Sequence, residues 1–416
     1  MSMSDEQKRK RVKRRVFTGI TTNVLVLGIV SLLTDMSSEM IYPILPLFLT
    51  AIGATGLVIG LIEGASETTA SMVKVISGWY SDRYRRRKPF ILWGYGTSTA
   101  VKPLLYLATA PWHVFGLRVA ERVGKGIRSA PRDALIADST DQGYWGRAFG
   151  FHKAMDSTGA VLGPILILPV LIAASTVTEG TYRLIFLLST IPAFLAVVVI
   201  LAFVRDKEAR STRKLGEFFK EMRHLGRPFY LLMAVVMVFY IGEISYAFFI
   251  LRAYDEGFTI GAYSQTVSTT MLYILYNVVF VLVAIPAGDL SDKIGRKPVI
   301  AFSFSLFAIT SALMASANTL WLLGLGFVMF GVYKGSSEGV FKAYVTDIVP
   351  SNLRGTALGA FHTSVGLVML PGGIVAGLLW DSVGHWATFA YGLTTSLVAL
   401  LLLIVLRVRK ADITPT

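Results

Sequence analysis

The stretch GWYSDRYRRRKP runs from Gly78 to Pro89, and GDLSDKIGRKP runs from Gly288 to Pro298. Each opens on glycine, places an aspartate four residues on (Asp82, Asp292) and closes on basic residues and a proline. Asp82 and Asp292 lie 210 positions apart. Pro89/Pro298, Lys125/Lys334, Gly126/Gly335, Asp138/Asp347 and Gly150/Gly359 all lie 209 apart. One extra residue in the first loop accounts for the change of offset. A constant shift over so many landmarks marks two copies of one unit in the same orientation.

What surrounds each loop is apolar. Hydrophobic residues make up 54% of the 416 and charged residues only 16%, where a soluble protein carries about a quarter charged. One bilayer crossing takes about 20 apolar residues. Runs of that length fall at 19–50, 57–80, 89–109, 112–137, 146–173 and 182–204, then at 229–252, 264–287, 298–316, 319–345, 355–380 and 386–406. They predict an all-α membrane protein of twelve transmembrane helices in two parallel-duplicated six-helix bundles, 19–204 and 229–406. A basic tail (1–18), a polar linker (205–228) and a short tail (407–416) complete the chain. The basic start resembles a signal peptide, but the stretch after it is long and carries Asp35 and Glu39, so it reads as a retained span. In the linker, Leu215, Phe218, Phe219 and Met222 have the spacing of a helix lying on the membrane surface.

With both termini in the cytoplasm, 28 of the 40 basic residues fall in tails and cytoplasmic loops (Arg147, at the edge of its run, counted with the loop), two (Arg183, Arg252) at the outer ends of their runs and ten deeper within spans. That asymmetry follows the retention of Lys and Arg on the cytoplasmic side. The net charge of +14 therefore reads as a topology signal and an attraction to anionic lipid, with no need of nucleic acid. The absence of cysteine excludes disulfides, thiolate metal sites and a thiol nucleophile. The five histidines are dispersed, and neither a nucleotide-binding loop nor a Ser-His-Asp arrangement stands out, so no enzyme, metal or cofactor is expected.

At its two loops the chain resembles the major facilitator superfamily over essentially its whole length. Gly78, Asp82, Arg83, Arg86 and Arg87 follow that family's G-x-x-x-D-R-x-x-R-R pattern, with Arg85 near the place where glycine is usual. Gly288, Asp292, Lys293, Gly295, Arg296 and Lys297 form the second copy. The resemblance implies a cytoplasmic gate in which Asp82 meets positive partners and a helix N-terminus of the opposite bundle, a contact that helix dipoles favour. Asp138 with Arg147, and Asp347 with Arg354, stand where the other gate charges belong. Arg122 and Gly126 match the family's R-x-x-x-G element, tied to proton transfer in some members. Gly150, Gly159, Gly163 and Pro164 resemble a signature of antiporters, although Ile167 and Leu168 stand where its closing glycines would be; close helix packing explains such glycines equally well.

Charge within a bilayer is costly and marks function by default. In span 4, Arg118, Glu121, Arg122, Lys125, Arg128, Arg132 and Asp133 fall within an arc of about 140°, a net-positive stripe expected to line a central cavity. Lys334, Glu338 and Lys342 form the counterpart in span 10. Asp35, Glu39 and Tyr42 share a face of span 1, and Glu63, Glu67 and Lys74 a face of span 2. Two carboxylates one turn apart repel, so one of each pair can hold a proton. Glu243 with Tyr246 lies in span 7, facing Asp35 across the pseudo-twofold, and His152, Lys153 and Asp156 lie in span 5. The expected proton-coupling residues are Asp35, Glu39, Glu67, Asp156 and Glu243, with Asp35 first. The expected substrate contacts are Tyr42, Arg122, Lys125, Arg128, Tyr246, Lys334 and Glu338. The plainer reading is that the acids neutralise the bases of spans 4 and 10.

These residues point to a monomeric secondary transporter of a bacterial inner membrane or its equivalent, moving a small organic solute, in one form an anion, by proton-coupled efflux. Uptake or exchange of an organic anion or siderophore-like carboxylate is the second reading. A transport-inactive receptor or scaffold is a third, against which the two gate loops argue.

Overall fold

The computed structural model describes residues 20–84, 86–174, 176–206 and 220–405, the side chains of Asp82, Gln142 and Asn352 excepted. The tails, Arg85 and the linker positions Leu215, Phe218 and Phe219 lie outside the described residues, so the surface-helix reading of the linker does too. In chain order the helices are α1 (Thr22–Glu39), α2 (Leu45–Ala51), α3 (Gly56–Tyr84), α4 (Lys88–Leu105), α5 (Pro111–Asp138), α6 (Trp145–Ala173) and α7 (Glu179–Phe203). The second half holds α8 (Gly226–Ile241), α9 (Tyr246–Asp255), α10 (Gln265–Ile294), α11 (Arg296–Ser316), α12 (Leu320–Asp347), α13 (Arg354–Ser382) and α14 (His385–Val405). With α1–α2 and α8–α9 each counted as one crossing, this is the twelve-span, two-bundle architecture.

Eight crossings, from α6 to α14 with α8–α9 joined, are long and apolar enough to span a membrane by length and composition. The other four are the broken α1–α2 and the charged α3, α4 and α5. Large apolar side chains such as Trp93, Leu282, Ile285 and Trp321 point outward, the arrangement a hydrocarbon solvent selects.

Spans 1 and 7 are each interrupted midway, for different local reasons. Pro43 and Pro46 remove two backbone donors within four residues, so α1 stops and α2 restarts with proline in its first turn, where no donor is needed. In span 7 the interruption falls at Gly242, where any Cβ would collide with the Thr395 side chain. The Tyr391 hydroxyl donates to the freed Ile241 carbonyl at 2.7 Å. Pro103 and Pro131, by contrast, each stand inside a continuous helix, Pro103 in the last turn of α4 and Pro131 within α5. A single lost donor inside a packed bundle is tolerated where two in one turn are not.

The halves meet along α3 and α13. A Cβ on Gly60 would lie 2.0 Å from the Gly373 carbonyl oxygen, one on Gly377 2.3 Å from the Gly56 oxygen, and one on Gly64 2.7 Å from Leu370 Cα. Only glycine permits this approach. This seam lies at the end of the bundle away from the two basic loops.

Candidate functional site

The charged stripe of α5 does not open onto the cavity as a whole. Arg118, Glu121, Arg122 and Arg128 are all buried. Arg118 pairs with Glu121 on its own helix and stands 3.8 Å from Glu63 on α3. Arg122 holds Glu67 at 2.7 Å. Arg128 turns into the N-terminal bundle, donating to Ser98 Oγ at 2.6 Å with its guanidinium 4.3 Å from the centre of the Tyr95 ring. That corrects its placement as a substrate contact. Arg132 pairs with its neighbour Asp133 at 2.9 Å. The repulsion expected between Glu63 and Glu67 is relieved by an arginine on each. Lys125 is the exception on this stripe: it is exposed and has no ion-pair partner among the described residues. Its field reaches Asp35, Glu39 and Glu67.

Tyr42 does not share a helical face with Asp35 and Glu39, because it falls in the break of span 1. Its ring lies beneath both Arg118 and Arg122, with centroid distances of 5.1 and 5.7 Å. From it a chain of rings crosses into the second half: Tyr42–Tyr246 at 5.7 Å, Tyr246–Tyr273 at 5.7 Å, Tyr273–Tyr276 at 5.5 Å and Tyr276–Phe330 at 5.0 Å.

The carboxylates of span 1 have separate fates. The Asp35 and Asp156 carboxyls lie within hydrogen-bond reach of each other, the arrangement in which two carboxyls can share one proton. Asp156 also accepts from Ser31 Oγ at 3.0 Å and pairs with Lys153 at 2.8 Å. Close approach of α6 makes this contact possible: a Cβ on Gly159 would lie 2.4 Å from the Leu32 oxygen, and one on Gly163 2.5 Å from the Met36 oxygen. Two glycines of the antiporter-like motif thus serve as packing glycines against the Asp35 helix, while the position of a Cβ on Gly150 is open. Glu39, by contrast, crosses between the halves. It accepts from the Tyr273 hydroxyl at 2.8 Å and from Asn277 at 3.5 Å.

Glu243 was expected to face Asp35. It lies instead inside the second bundle, paired with Lys334 and accepting from the Tyr333 hydroxyl at 2.6 Å. Glu338 pairs with Lys342 at 3.0 Å. These groups line a cavity of about 310 Å³ whose charged walls are Glu63, Glu67, Glu243 and Glu338 with Lys334 and Lys342. Four carboxylates against two lysines reverse the positive excess expected from the sequence. Exposure rises along the cavity from Glu243 (2%) through Lys334 (29%) to Lys342 (41%). The cavity therefore opens toward the end that carries the basic loops and is shut at the glycine seam.

Lys102 in α4 carries no motif and shares no charged stripe in the sequence, yet it is a buried cation. Its side chain is 1% exposed and donates to Ser37 Oγ at 2.5 Å and Ser38 Oγ at 3.2 Å. No carboxylate is paired with it among the described residues. Lys102→Met leaves no orphaned counter-charge behind, so it is expected to cost under about 1 kcal/mol in stability. Thermal unfolding of the purified variant measures this; a loss of several kcal/mol would reveal an ion pair.

The basic loops are wired alike in both halves. Arg87 donates to Ser81 Oγ at 2.7 Å and lies 3.5 Å from Asp138. Arg296 donates to Ser291 Oγ at 2.6 Å and pairs with Asp292 at 2.5 Å and Asp347 at 3.1 Å. Asp138 and Asp347 thus each face a loop arginine of their own half. Of the other expected gate charges, Arg147 lies over the Tyr144 ring at 5.7 Å and Arg354 donates to the Thr346 oxygen at 3.2 Å. Of the loop arginines in the first motif, Arg83 and Arg86 are exposed and Arg87 is buried, and its 209-residue offset from Arg296 marks the two as counterparts. The Asp82 side chain lies outside the described residues.

Comparison with known proteins adds the family. The chain matches the model described as Major Facilitator Superfamily over residues 27–273 and 260–415. An uncharacterised MFS-type transporter of Methanocaldococcus jannaschii is 37% identical over 388 residues, covering 92% of this chain and 95% of that protein. The class H tetracycline resistance protein of Pasteurella multocida is 31% identical over 137 residues, a third of each chain. Among solved structures, a mutant of the nucleoside transporter NupG superposes with a TM-score of 0.77 at 13% identity, covering 92% of this chain and 98% of that one.

Proposed function

The chain belongs to the Major Facilitator Superfamily and is a multi-pass membrane transporter; from that premise we propose that it couples the efflux of a small organic solute to protons. The observation that carries this reading is the hydrogen-bonded carboxyl pair Asp35–Asp156, held at membrane depth beside Lys153 and within the field of Lys125. Loading the pair with a proton cancels one negative charge between α1 and α6 at membrane depth, and unloading it restores that charge. A solute with a positive or donor group competes with the proton for this charge, which is the linkage an exchanger requires. The distant, partial match to a tetracycline resistance protein and the packing glycines of α6 point the same way. On this reading both termini and the basic loops lie in the cytoplasm of a cell membrane, a monomer suffices, and the cavity described above is the inward-open state. The loop charges, Asp82 among them, would close that end when the far end opens.

The second reading, uptake or exchange of an organic anion, rests on Lys125 alone, because Arg128 is turned away and Lys334 is paired. An anion drawn to Lys125 gains when Asp35 is protonated, so it would travel with the proton rather than against it.

The two differ in the direction of proton movement. In proteoliposomes carrying a lumenal pH dye, entry of a quaternary ammonium solute is expected to make the lumen more alkaline. Acidification on entry of a carboxylate solute would favour the second reading. Flux with no pH change in either case would remove proton coupling.

A further inference from the structure

The first helical turn of α3 is capped from the other half of the protein. Asp381, next to last in α13, accepts from the backbone N–H of Gly56 at 2.8 Å through Oδ1 and from that of Leu57 at 2.8 Å through Oδ2. These are the first two donors of α3, which the helix itself cannot satisfy. The local capping side chain, Thr55, reaches Val58 N at only 3.4 Å. A carboxylate on two N-terminal amides is a charge-assisted contact favoured by the helix dipole, and here it ties α3 to a residue 325 positions away. Directly beneath it runs the glycine seam Gly56–Gly377, Gly60–Gly373 and Gly64–Leu370. Further along, Thr68 Oγ1 donates to the Gly366 oxygen at 2.5 Å. The seam is therefore close backbone contact for most of its length, with one carboxylate at its far end.

We propose that Asp381 is a positioning residue of the transport cycle: it latches the far-end gate, and its release from the α3 N-terminus accompanies the opening of that end. Alternating access requires the seam to part. When it does, Gly56 and Leu57 exchange the carboxylate for water, so Asp381 stabilises only the state in which this end is shut. Its removal shifts the population toward the state open at the far end by the worth of one bidentate cap, on the order of five- to tenfold. The latch depends on the transporter fold but not on proton coupling or on any substrate, so it can stand or fall separately from the efflux reading.

The chain contains no cysteine, so single introduced thiols report without background. Ala376→Cys sits on the seam side of α13, 3% exposed, at the closed end of the cavity. Lys342→Cys sits in the open half. In nanodiscs, Asp381→Asn is expected to raise the maleimide labelling rate at position 376 about five- to tenfold and to lower it at position 342. Unchanged rates at both positions overturn the latch. A rise at both indicates unfolding rather than opening, and Asp381→Glu, which keeps the charge, decides that case. Wild-type rates in the glutamate variant support the latch, and rates like those of the asparagine variant overturn it.

Discussion

Asp35→Asn is expected to reduce pH-gradient-driven flux by roughly a hundredfold, the scale on which a positioned proton-transfer group contributes. The substitution is nearly isosteric, and its amide can still donate to Asp156, so the α1–α6 contact at Gly159 and the tie of Asp156 to Lys153 survive. What is lost is the ability of the pair to release and regain a proton. Uphill transport should therefore fail while downhill equilibration of a solute gradient persists. Glu39→Gln is the informative contrast. Glu39 accepts from Tyr273 and Asn277 across the halves, and its loss should weaken the contact between bundles without abolishing dependence on the pH gradient. Flux in Asp35→Asn proteoliposomes that tracks an imposed gradient as in the wild type would sink the assignment.

Arg118→Met should cost about 3–5 kcal/mol in stability, the range for removing one partner of a buried ion pair. Arg118 is 1% exposed, and its guanidinium serves Glu121 and, at 3.8 Å, Glu63. With methionine in its place, Glu121 and Glu63 lose the guanidinium that they share. The mechanism makes a second, sharper demand. Adding Glu121→Gln and Glu63→Gln to Arg118→Met should recover most of the loss, since the cost lies in the uncompensated charge rather than in the missing side chain. Chemical unfolding followed by helical circular dichroism reads both variants. A single variant as stable as the wild type, or a triple variant no better than the single, would contradict this account. The same physics sets the opposite expectation for Lys102, whose partners are hydroxyls.

The contrast between Arg118 and Lys102 shows where sequence patterning stops. Helical spacing placed Arg118, Arg122, Lys125 and Arg128 on one stripe of α5, and the structure keeps that stripe. Spacing cannot say what faces it. Because α3 carries Glu63 and Glu67 at the same depth, two arginines are consumed there, and because α4 offers Ser98 and Tyr95, Arg128 turns away. Lys125 is left exposed, with no ion pair among the described residues. Likewise a continuous helical wheel put Tyr42 beside Asp35, but the prolines that break span 1 rotate it under the arginines of α5.

The sequence by itself determined the number of crossings, the duplication and the two loops, because bilayer thickness and a constant offset are properties of one dimension. It also identified Asp35 and Asp156 as candidates, since charge in an apolar run is visible without a fold. Only the tertiary structure decided that these two lie side by side across α1 and α6, that the cavity lining is richer in acids than bases, and that Asp381 caps a helix 325 residues away. Each of those depends on the distance between groups on different helices, which glycine contacts at Gly159, Gly60 and Gly377 set to within an ångström. Electrostatic and hydrogen-bond energies vary steeply over that range, so the roles of the buried charges follow from packing that no periodicity encodes.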